Sequence, residues 1–234
     1  MSGWWDNDGA ISGCVAAYRA IGAASLAASY VNLANPGTYD AAPGTAPSFD
    51  ASTGWTFNGS TQYLTTGLTP DNTQGWSMLV RFANNQTNGN PWGVGAGQSP
   101  YFVVAPQFIP DNLMVLGNGD FITAPYLVTG TAGFAGNKGY RAGSQVTGTI
   151  ATQAGTFGAL RIGWDADDGA KHKGDILAVA VYNSVLTSGQ VSTLTTLMDA
   201  LTAQSIVPHL AAHTDWWNRS EEHTSELQSL AVIS

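Results

Sequence analysis

Short apolar segments separated by turns rich in glycine and asparagine run through most of this sequence, and their spacing constrains the fold more than any other feature. Residues 76–82 place Trp76, Met78, Val80 and Phe82 on one face at a period of two, which is the pattern of a half-buried strand. The other predicted strands are residues 15–19, 54–58, 62–66, 101–105, 113–116, 121–124, 133–137, 145–150, 160–164 and 176–182. Many short strands at this spacing are typical of an antiparallel sandwich or barrel, so we expect an all-β fold.

Turn and helix signals refine this expectation. Asn58 and Gly59 lie between two predicted strands and predict a tight hairpin, because type I′ turns require positive φ at both central residues. One helix is expected at residues 188–201, where apolar side chains recur on one face behind a Thr or Ser cap. Residues 20–47 are expected to be mostly connection and extended chain, with a helical turn near residues 23–28.

Charge is scarce, since only 10% of the residues are charged, against about 25% in a typical soluble domain. Long amphipathic helices normally need charged faces, so this composition disfavours a mostly helical fold. The net charge of −8 and the scattering of the eight Lys and Arg residues exclude a nucleic-acid interface and a polybasic membrane patch. No apolar run approaches the roughly 20 residues of a membrane-spanning helix, and no secretory signal is visible.

The last sixteen residues differ sharply in composition from the rest of the chain. All three glutamates lie there, at Glu221, Glu222 and Glu226, and the preceding 220 residues contain none. Residues 219–229 read as the in-frame translation of a short-read sequencing adapter, and the residues after them fit a barcode followed by more adapter. We therefore predict that residues 219–234 are foreign to the natural chain, whose net charge without them is −6.

Three segments carry a resemblance to a known family. Residues 54–64 match the pattern F-x-G-x-x-x-Y-L, and residues 76–82 match W-S/T-h-x-h-x-F, where h is apolar. Residues 174–191 form an apolar run that ends in Tyr-Asn and is followed by Leu-Thr and Gln-Val. In this order, over residues 14–203, the segments resemble the laminin-G-like domains of the concanavalin A-like lectin and glucanase group.

The resemblance implies a jelly-roll β-sandwich of two antiparallel sheets with one C-terminal helix. Two stretches, residues 16–47 and 137–141, are similar to phage-like and environmental members of the group. The predicted organisation is a lead-in at residues 1–13, the sandwich domain at 14–203, a linker at 204–218 and the foreign tail at 219–234. Members mostly bind glycans or proteins, whereas related glucanases use a Glu-x-Asp-x-x-Glu strand. Because no glutamate precedes residue 221, that motif is absent and we expect no enzymatic activity.

Candidate sugar-binding residues follow from the chemistry of sugars. A sugar ring packs its C–H surface on an aromatic face, and its hydroxyls need amide, carboxylate or guanidinium partners. Aromatic residues among Gly, Pro and Asn at predicted loop edges suit the first role, and polar residues near them suit the second. The candidates are Trp92, Tyr101, Asn118, Asp120, Tyr126, Asn137, Tyr140 and Arg141. Ordinary loop packing is the alternative interpretation for each aromatic residue.

One acidic segment is a candidate cation site. Asp165, Asp167 and Asp168 lie in a glycine-bounded segment, and Ca²⁺ prefers several carboxylate and carbonyl oxygens on a flexible turn. A solvated hairpin tip is the alternative, because Lys171 and Lys173 follow at once and balance the charge. Calcium is thus the one cofactor considered, and no other is expected.

Three functions stay open at this point. The leading hypothesis is a non-enzymatic module that binds carbohydrate and belongs to a larger surface or virion protein. The second is a structural or interaction domain of a phage-like particle without a sugar site, and the third is a glycoside hydrolase. The expected partner is a glycan or a surface protein, within a homo-oligomer or a multidomain parent protein. A virion-associated or extracellular location is favoured.

Overall fold

The computed structural model describes residues 3–71, 75–86, 93–96, 102–107, 112–116, 121–149, 157–163 and 171–204. For residues 112–116, 121, 123 and 202–204 it describes the backbone alone. The strands are β1 (Cys14–Arg19), β2 (Ala42–Thr45), β3 (Ser48–Asp50), β4 (Gly54–Asn58), β5 (Tyr63–Thr65), β6 (Ser77–Ala83), β7 (Val94–Ala96), β8 (Phe102–Ala105), β9 (Asn112–Leu116), β10 (Phe121–Pro125), β11 (Gly130–Ala135), β12 (Lys138–Arg141), β13 (Ser144–Gln145), β14 (Arg161–Ile162) and β15 (Lys173–Tyr182). The helices are α1 (Leu26–Ser29) and α2 (Ser188–Gln204).

The strands form two sheets. Sheet A has the order β13-β12-β11-β6-β15-β4-β3, and β1 pairs with β15 as its eighth strand. Sheet B has the order β10-β9-β8-β7-β14-β5-β2. The described pairings are antiparallel, which confirms the predicted class of an all-β sandwich.

The main core lies between the sheets and follows the period-two pattern of the sequence. Met78, Val80 and Phe82 on β6 belong to this core, whereas Leu79 belongs to a second apolar cluster on the outer face of sheet A. Across the core, the ring of Phe102 in sheet B meets that of Phe134 in sheet A edge to face, with 4.9 Å between centroids. The alternation predicted for β6 is therefore confirmed. Burial of each such side chain contributes roughly 1.5–3 kcal/mol to the free energy of folding.

Helix α2 covers the outer face of sheet A. It begins at a capping box, in which the Gln190 N–H donates to the Thr187 hydroxyl (3.2 Å) and the Thr187 N–H donates to the Gln190 side chain (2.9 Å). Val191, Leu194 and Met198 are buried against the sheet. The predicted helix is confirmed and extends three residues further. Neither helix in the described part of the chain is both long and apolar enough to span a membrane.

The hairpin predicted at Asn58 and Gly59 is wrong. Strand β4 pairs with β3 and β15 in sheet A, whereas β5 pairs with β2 and β14 in sheet B, so the connection passes from one sheet to the other. The Asn58 side-chain oxygen accepts the N–H groups of Ser60 (2.8 Å) and Thr61 (3.0 Å) and shapes a longer turn. The local turn signal was correct, but it carries no information on the partners of the flanking strands.

Two edge strands lie in a segment expected to be mostly connection. Strands β2 and β3 end sheet B and sheet A, respectively, and β2 contains Pro43. Proline is tolerated at an edge because its missing N–H faces no neighbouring strand. The helical turn expected near residues 23–28 is displaced to α1, because the Ser25 side chain caps that helix by accepting the Ala28 N–H at 3.1 Å.

Boundaries also differ in the second half of the chain. The strand predicted at 133–137 runs from Gly130 to Ala135, because residues 136 and 137 make the two-residue turn into β12. Strand β12 lies in a segment expected to be a loop. Of the described residues 145–149 in the strand predicted at 145–150, only Gln145 is paired, as the second residue of β13. Of the described residues 160–163 in the strand predicted at 160–164, only Arg161 and Ile162 pair, as β14.

Candidate binding site

One end of the sandwich gathers several connections between strands. The Asn85 N–H after β6 donates to the Val128 carbonyl before β11 at 3.0 Å. The Gln86 N–H donates to the carbonyl of Lys173, where β15 begins, at 3.1 Å. Both bonds join backbone groups, so they link neighbouring connections independently of the side chains. We call this region the loop end, and it comprises residues 84–86, 106–107, 126–129 and 171–174.

A buried amide lies at the centre of the loop end. The Asn85 side chain donates to the Leu127 carbonyl at 2.7 Å, and the Leu127 N–H donates to the Pro106 carbonyl at 2.9 Å. The fit is close, because a Cβ at Gly174 would lie 2.9 Å from the Asn85 Cα, and Gly174 has a φ of +139°. Asn85 thereby positions three connections at once, which is a structural role.

A buried carboxylate joins the loop end to sheet A. One oxygen of Asp175 accepts the Thr56 hydroxyl and the other accepts the Asn84 amide, both at 2.6 Å. Asp175 is 5% exposed. Neutral donors thus engage both carboxylate oxygens. These bonds attach β4 and the connection after β6 to strand β15.

His172 is fully buried in the core just before β15. Its ring lies between those of Phe57 and Phe82, with centroids 5.9 Å and 5.5 Å away. Burial in these apolar surroundings lowers the pKa of His172 to about 3 and outweighs the contact of its ring with the Asp175 backbone, which favours the charged form. The imidazole is therefore neutral near pH 7 and contributes packing rather than charge.

The structure separates the described candidates for sugar binding. Arg141 is paired opposite Ala132 and lies at the end of β12 nearer the loop end, where half-buried Tyr126 also lies. Asn137 occupies the turn before β12, about 13 Å from Arg141 at the usual rise of a strand. Tyr126 and Arg141 are thus on one side of the sandwich, and Asn137 is on the other.

Tyr140 supports helix α2. Its ring is 1% exposed and belongs to the apolar cluster between sheet A and α2, and its hydroxyl lies 2.9 Å from that of Ser188 at the start of the helix. The expectation of an aromatic face presented to a sugar is therefore not met at Tyr140. The loop-like composition around it concealed a paired strand under a helix.

The remaining candidates lie outside the described residues. For sugar binding these are Trp92, Tyr101, Asn118 and Asp120, and for calcium they are Asp165, Asp167 and Asp168. Their roles stay predictions. Among the residues that the structure describes, no three His, Cys, Asp or Glu side chains are grouped closely enough to hold a metal ion.

The structure forms a cavity that the sequence analysis did not identify as a site. Its volume is about 350 Å³, and it lies between the N-terminal turn, β1 and the last turns of α2. We call it the N-terminal cleft; it is lined by Gly3, Trp4, Trp5, Asn7, Asp8, Arg19, Leu197 and Leu201. A signal was present, because a tryptophan pair stands beside asparagine and aspartate in the first residues. That segment was interpreted as a lead-in, and its distant partners in α2 could not be identified.

Known structures share this fold. Domain 4 of AbnA, a GH43 extracellular arabinanase from Geobacillus stearothermophilus solved in complex with arabinotriose, matches with a TM-score of 0.59 and 17% identity, covering 78% of this chain and 98% of that domain. A Trypanosoma rangeli sialidase mutant that displays trans-sialidase activity matches with a TM-score of 0.59 and 14% identity, covering 81% of this chain and 33% of the sialidase. The sialidase in complex with sialic acid gives a TM-score of 0.57 at 15% identity, with the same coverage.

Other comparisons find no match. No family model matches the sequence, and no curated protein does. In the structural comparisons, the chain spans 98% of the isolated arabinanase domain but only about a third of the sialidase chains. At these identities the likeness establishes a β-sandwich that also occurs in carbohydrate-active proteins.

Proposed function

We propose that this chain is a non-enzymatic carbohydrate-binding module with a laminin-G-like sandwich. The observation that carries the proposal is the match over 98% of a single arabinanase domain that was solved with arabinotriose bound. A domain that corresponds over its whole length is a closer guide than a segment of a large enzyme. The surface or virion setting is part of the proposal and rests on the sequence resemblance alone.

The chemistry of the chain supports binding rather than hydrolysis. Most glycosidases place two carboxyl groups on either side of the scissile bond, and the first 220 residues contain no glutamate. In the described part of the chain, the buried Asp175 is bonded to a hydroxyl and an amide. His172 is buried and neutral, so it does not supply a proton at neutral pH.

A glycan array tests the proposal. The full 234-residue chain, fluorescently labelled, is applied to neutral and acidic oligosaccharides that include arabinotriose and sialyllactose. We expect concentration-dependent binding to a restricted set of glycans and no release of reducing ends when the bound glycans are incubated with the chain. Absence of binding to every glycan would contradict the proposed module, and release of reducing sugar would contradict its non-enzymatic character.

A further inference from the structure

The N-terminal cleft is built on a turn whose backbone is held internally. The Gly3 N–H donates to the Asp6 carboxylate at 2.7 Å, and the Ile11 N–H donates to the Asp6 carbonyl at 2.8 Å. The Tyr182 hydroxyl on β15 donates to the Trp5 carbonyl at 2.6 Å and ties the turn to sheet A. The cleft is therefore a fixed part of the sandwich, formed before any ligand arrives.

Aromatic and aliphatic side chains form the walls of the cleft. The rings of Trp4 and Trp5 meet edge to face, with 5.9 Å between centroids. Gly3 lies directly against Trp5, because a Cβ at Gly3 would come within 2.5 Å of that ring. Leu197 and Leu201 of α2 contribute to the same lining. Such walls suit a ligand with an apolar face.

Three polar side chains of the cleft keep hydrogen-bonding groups that have no partner among the described residues. Arg19 is half-buried, its Nε donates to the Ile21 carbonyl at 2.8 Å, and its terminal nitrogens make no hydrogen bond within the described part of the chain. The side chains of Asn7 and Asp8 likewise make none there, although both residues have left-handed φ angles of 49° and 55°. The backbone of this turn is ordered by hydrogen bonds, whereas its side chains remain available to a ligand.

We infer that the N-terminal cleft binds one or two neutral sugar rings. Half-buried Trp4, braced by the buried Trp5, offers an apolar face, and a guanidinium, an amide and a carboxylate offer both donors and acceptors for hydroxyls. A volume of about 350 Å³ lies at the lower end of the 300–1,000 Å³ usual for small-ligand sites. Acidic sugars are disfavoured, because the carboxylates of Asp6 and Asp8 outnumber the single guanidinium of Arg19. The inference rests on the proposed function and names its site and ligand class.

Glycine substitutions test this site without disturbing the backbone. The double variant Asn7→Gly/Asp8→Gly removes both side chains at positions where glycine adopts the observed φ without strain. The matched control is Ala142→Gly, an exposed residue with a φ of 48° outside the cleft lining. Titrations of the full-length chains with arabinotriose and with each neutral glycan bound on the array are followed by NMR, using the tryptophan indole N–H signals.

We expect the wild-type chain to bind at least one neutral probe, with shifts of the Trp4 and Trp5 indole signals. The double variant is expected to bind it at least tenfold more weakly, and the control unchanged. Unchanged affinity in the double variant would overturn the cleft as the site, while the proposed function would stand. Binding of sialyllactose alone would overturn the ligand class. No glycan binding by the wild-type chain would overturn the proposed function and the cleft together.

Discussion

The loop end and the N-terminal cleft both carry polar side chains, but these side chains differ in their hydrogen bonding within the protein. At the loop end, the Asn85 side chain bonds the Leu127 backbone, and the Asp175 carboxylate bonds the side chains of Thr56 and Asn84. In the cleft, backbone hydrogen bonds hold the turn, and the side chains of Asn7 and Asp8 have no partner in the described part of the chain. Polar residues of the first kind stabilise the fold, whereas those of the second kind are available for recognition. Substitutions should therefore separate stability from binding.

The largest expected effect is a loss of stability in acid caused by His172 at the loop end. Its pKa is lowered to about 3 in the folded chain, against about 6.5 when unfolded. Between these values the unfolded chain binds a proton that the folded chain does not, so stability falls as the pH falls below 6.5. We expect the free energy of unfolding to be about 3 kcal/mol lower at pH 4 than at pH 7 from this residue, as measured by urea unfolding.

The variant His172→Leu provides the control for this titration. It replaces the imidazole by an apolar side chain between Phe57 and Phe82, and it has no group that titrates. Its stability is expected to change much less between pH 7 and pH 4 than that of the wild-type chain. Parallel pH profiles of the two proteins would show that protonation of His172 does not drive the acid response.

The next effect concerns the carboxylate that links the loop end to sheet A. Asp175→Asn replaces one charged acceptor by an NH₂ group that faces a donor, at a site where Thr56 and Asn84 both donate. We expect a loss of about 2 kcal/mol in the free energy of unfolding. Asp50→Asn is the matched control, because Asp50 is exposed and its change should cost under about 0.5 kcal/mol. Equal losses in the two variants would remove the distinction between these carboxylates.

Local periodicity made part of this fold predictable. The alternation along β6 and the Thr187–Gln190 capping box of α2 are local signals, and the structure confirms both elements. Each depends on residues within a few positions of one another. Such signals establish that a strand or helix exists and which of its faces is apolar.

Contacts between residues that are far apart in the sequence could not be predicted from local patterns. Nothing near Asn58 indicates that β4 joins sheet A while β5 joins sheet B, because Thr56 finds its partner Asp175 at a distance of 119 residues. Tyr140 looked like a loop residue because of its neighbours, and only its packing under α2 buries it. The N-terminal cleft was missed for the same reason, since Leu197 lies at the far end of the chain from Trp4.

A smaller effect is expected where α2 is attached to sheet A. Asp199 on α2 contacts the Arg81 side chain of β6 at 3.0 Å and accepts the Thr131 hydroxyl at 3.1 Å, but its own side chain is 47% exposed. Asp199→Ala should lower the free energy of unfolding by about 1–2 kcal/mol, because Asp199 is exposed but Arg81, which is 9% exposed, loses its charged partner. The difference from wild type should shrink in 0.5 M NaCl, because salt screens exposed ion pairs. A loss that is independent of salt would assign the effect to packing.

The smallest effect is expected at Asn7, and it is best compared with Asn84, because the two asparagines share a backbone conformation and differ in what their side chains do. Asn7 in the cleft has a φ of 49° and Asn84 at the loop end has a φ of 52°. Glycine tolerates both angles and adds a similar backbone entropy to the unfolded chain at each position, so the difference between the two substitutions reports the side chains. Asn84→Gly should cost about 1.5 kcal/mol, because it removes a hydrogen bond to the Asp175 carboxylate. Asn7→Gly should change the free energy of unfolding by less than about 0.5 kcal/mol in urea unfolding. A loss at Asn7 as large as that at Asn84 would mean that the cleft side chains also hold the fold, and the contrast between the two regions would fail.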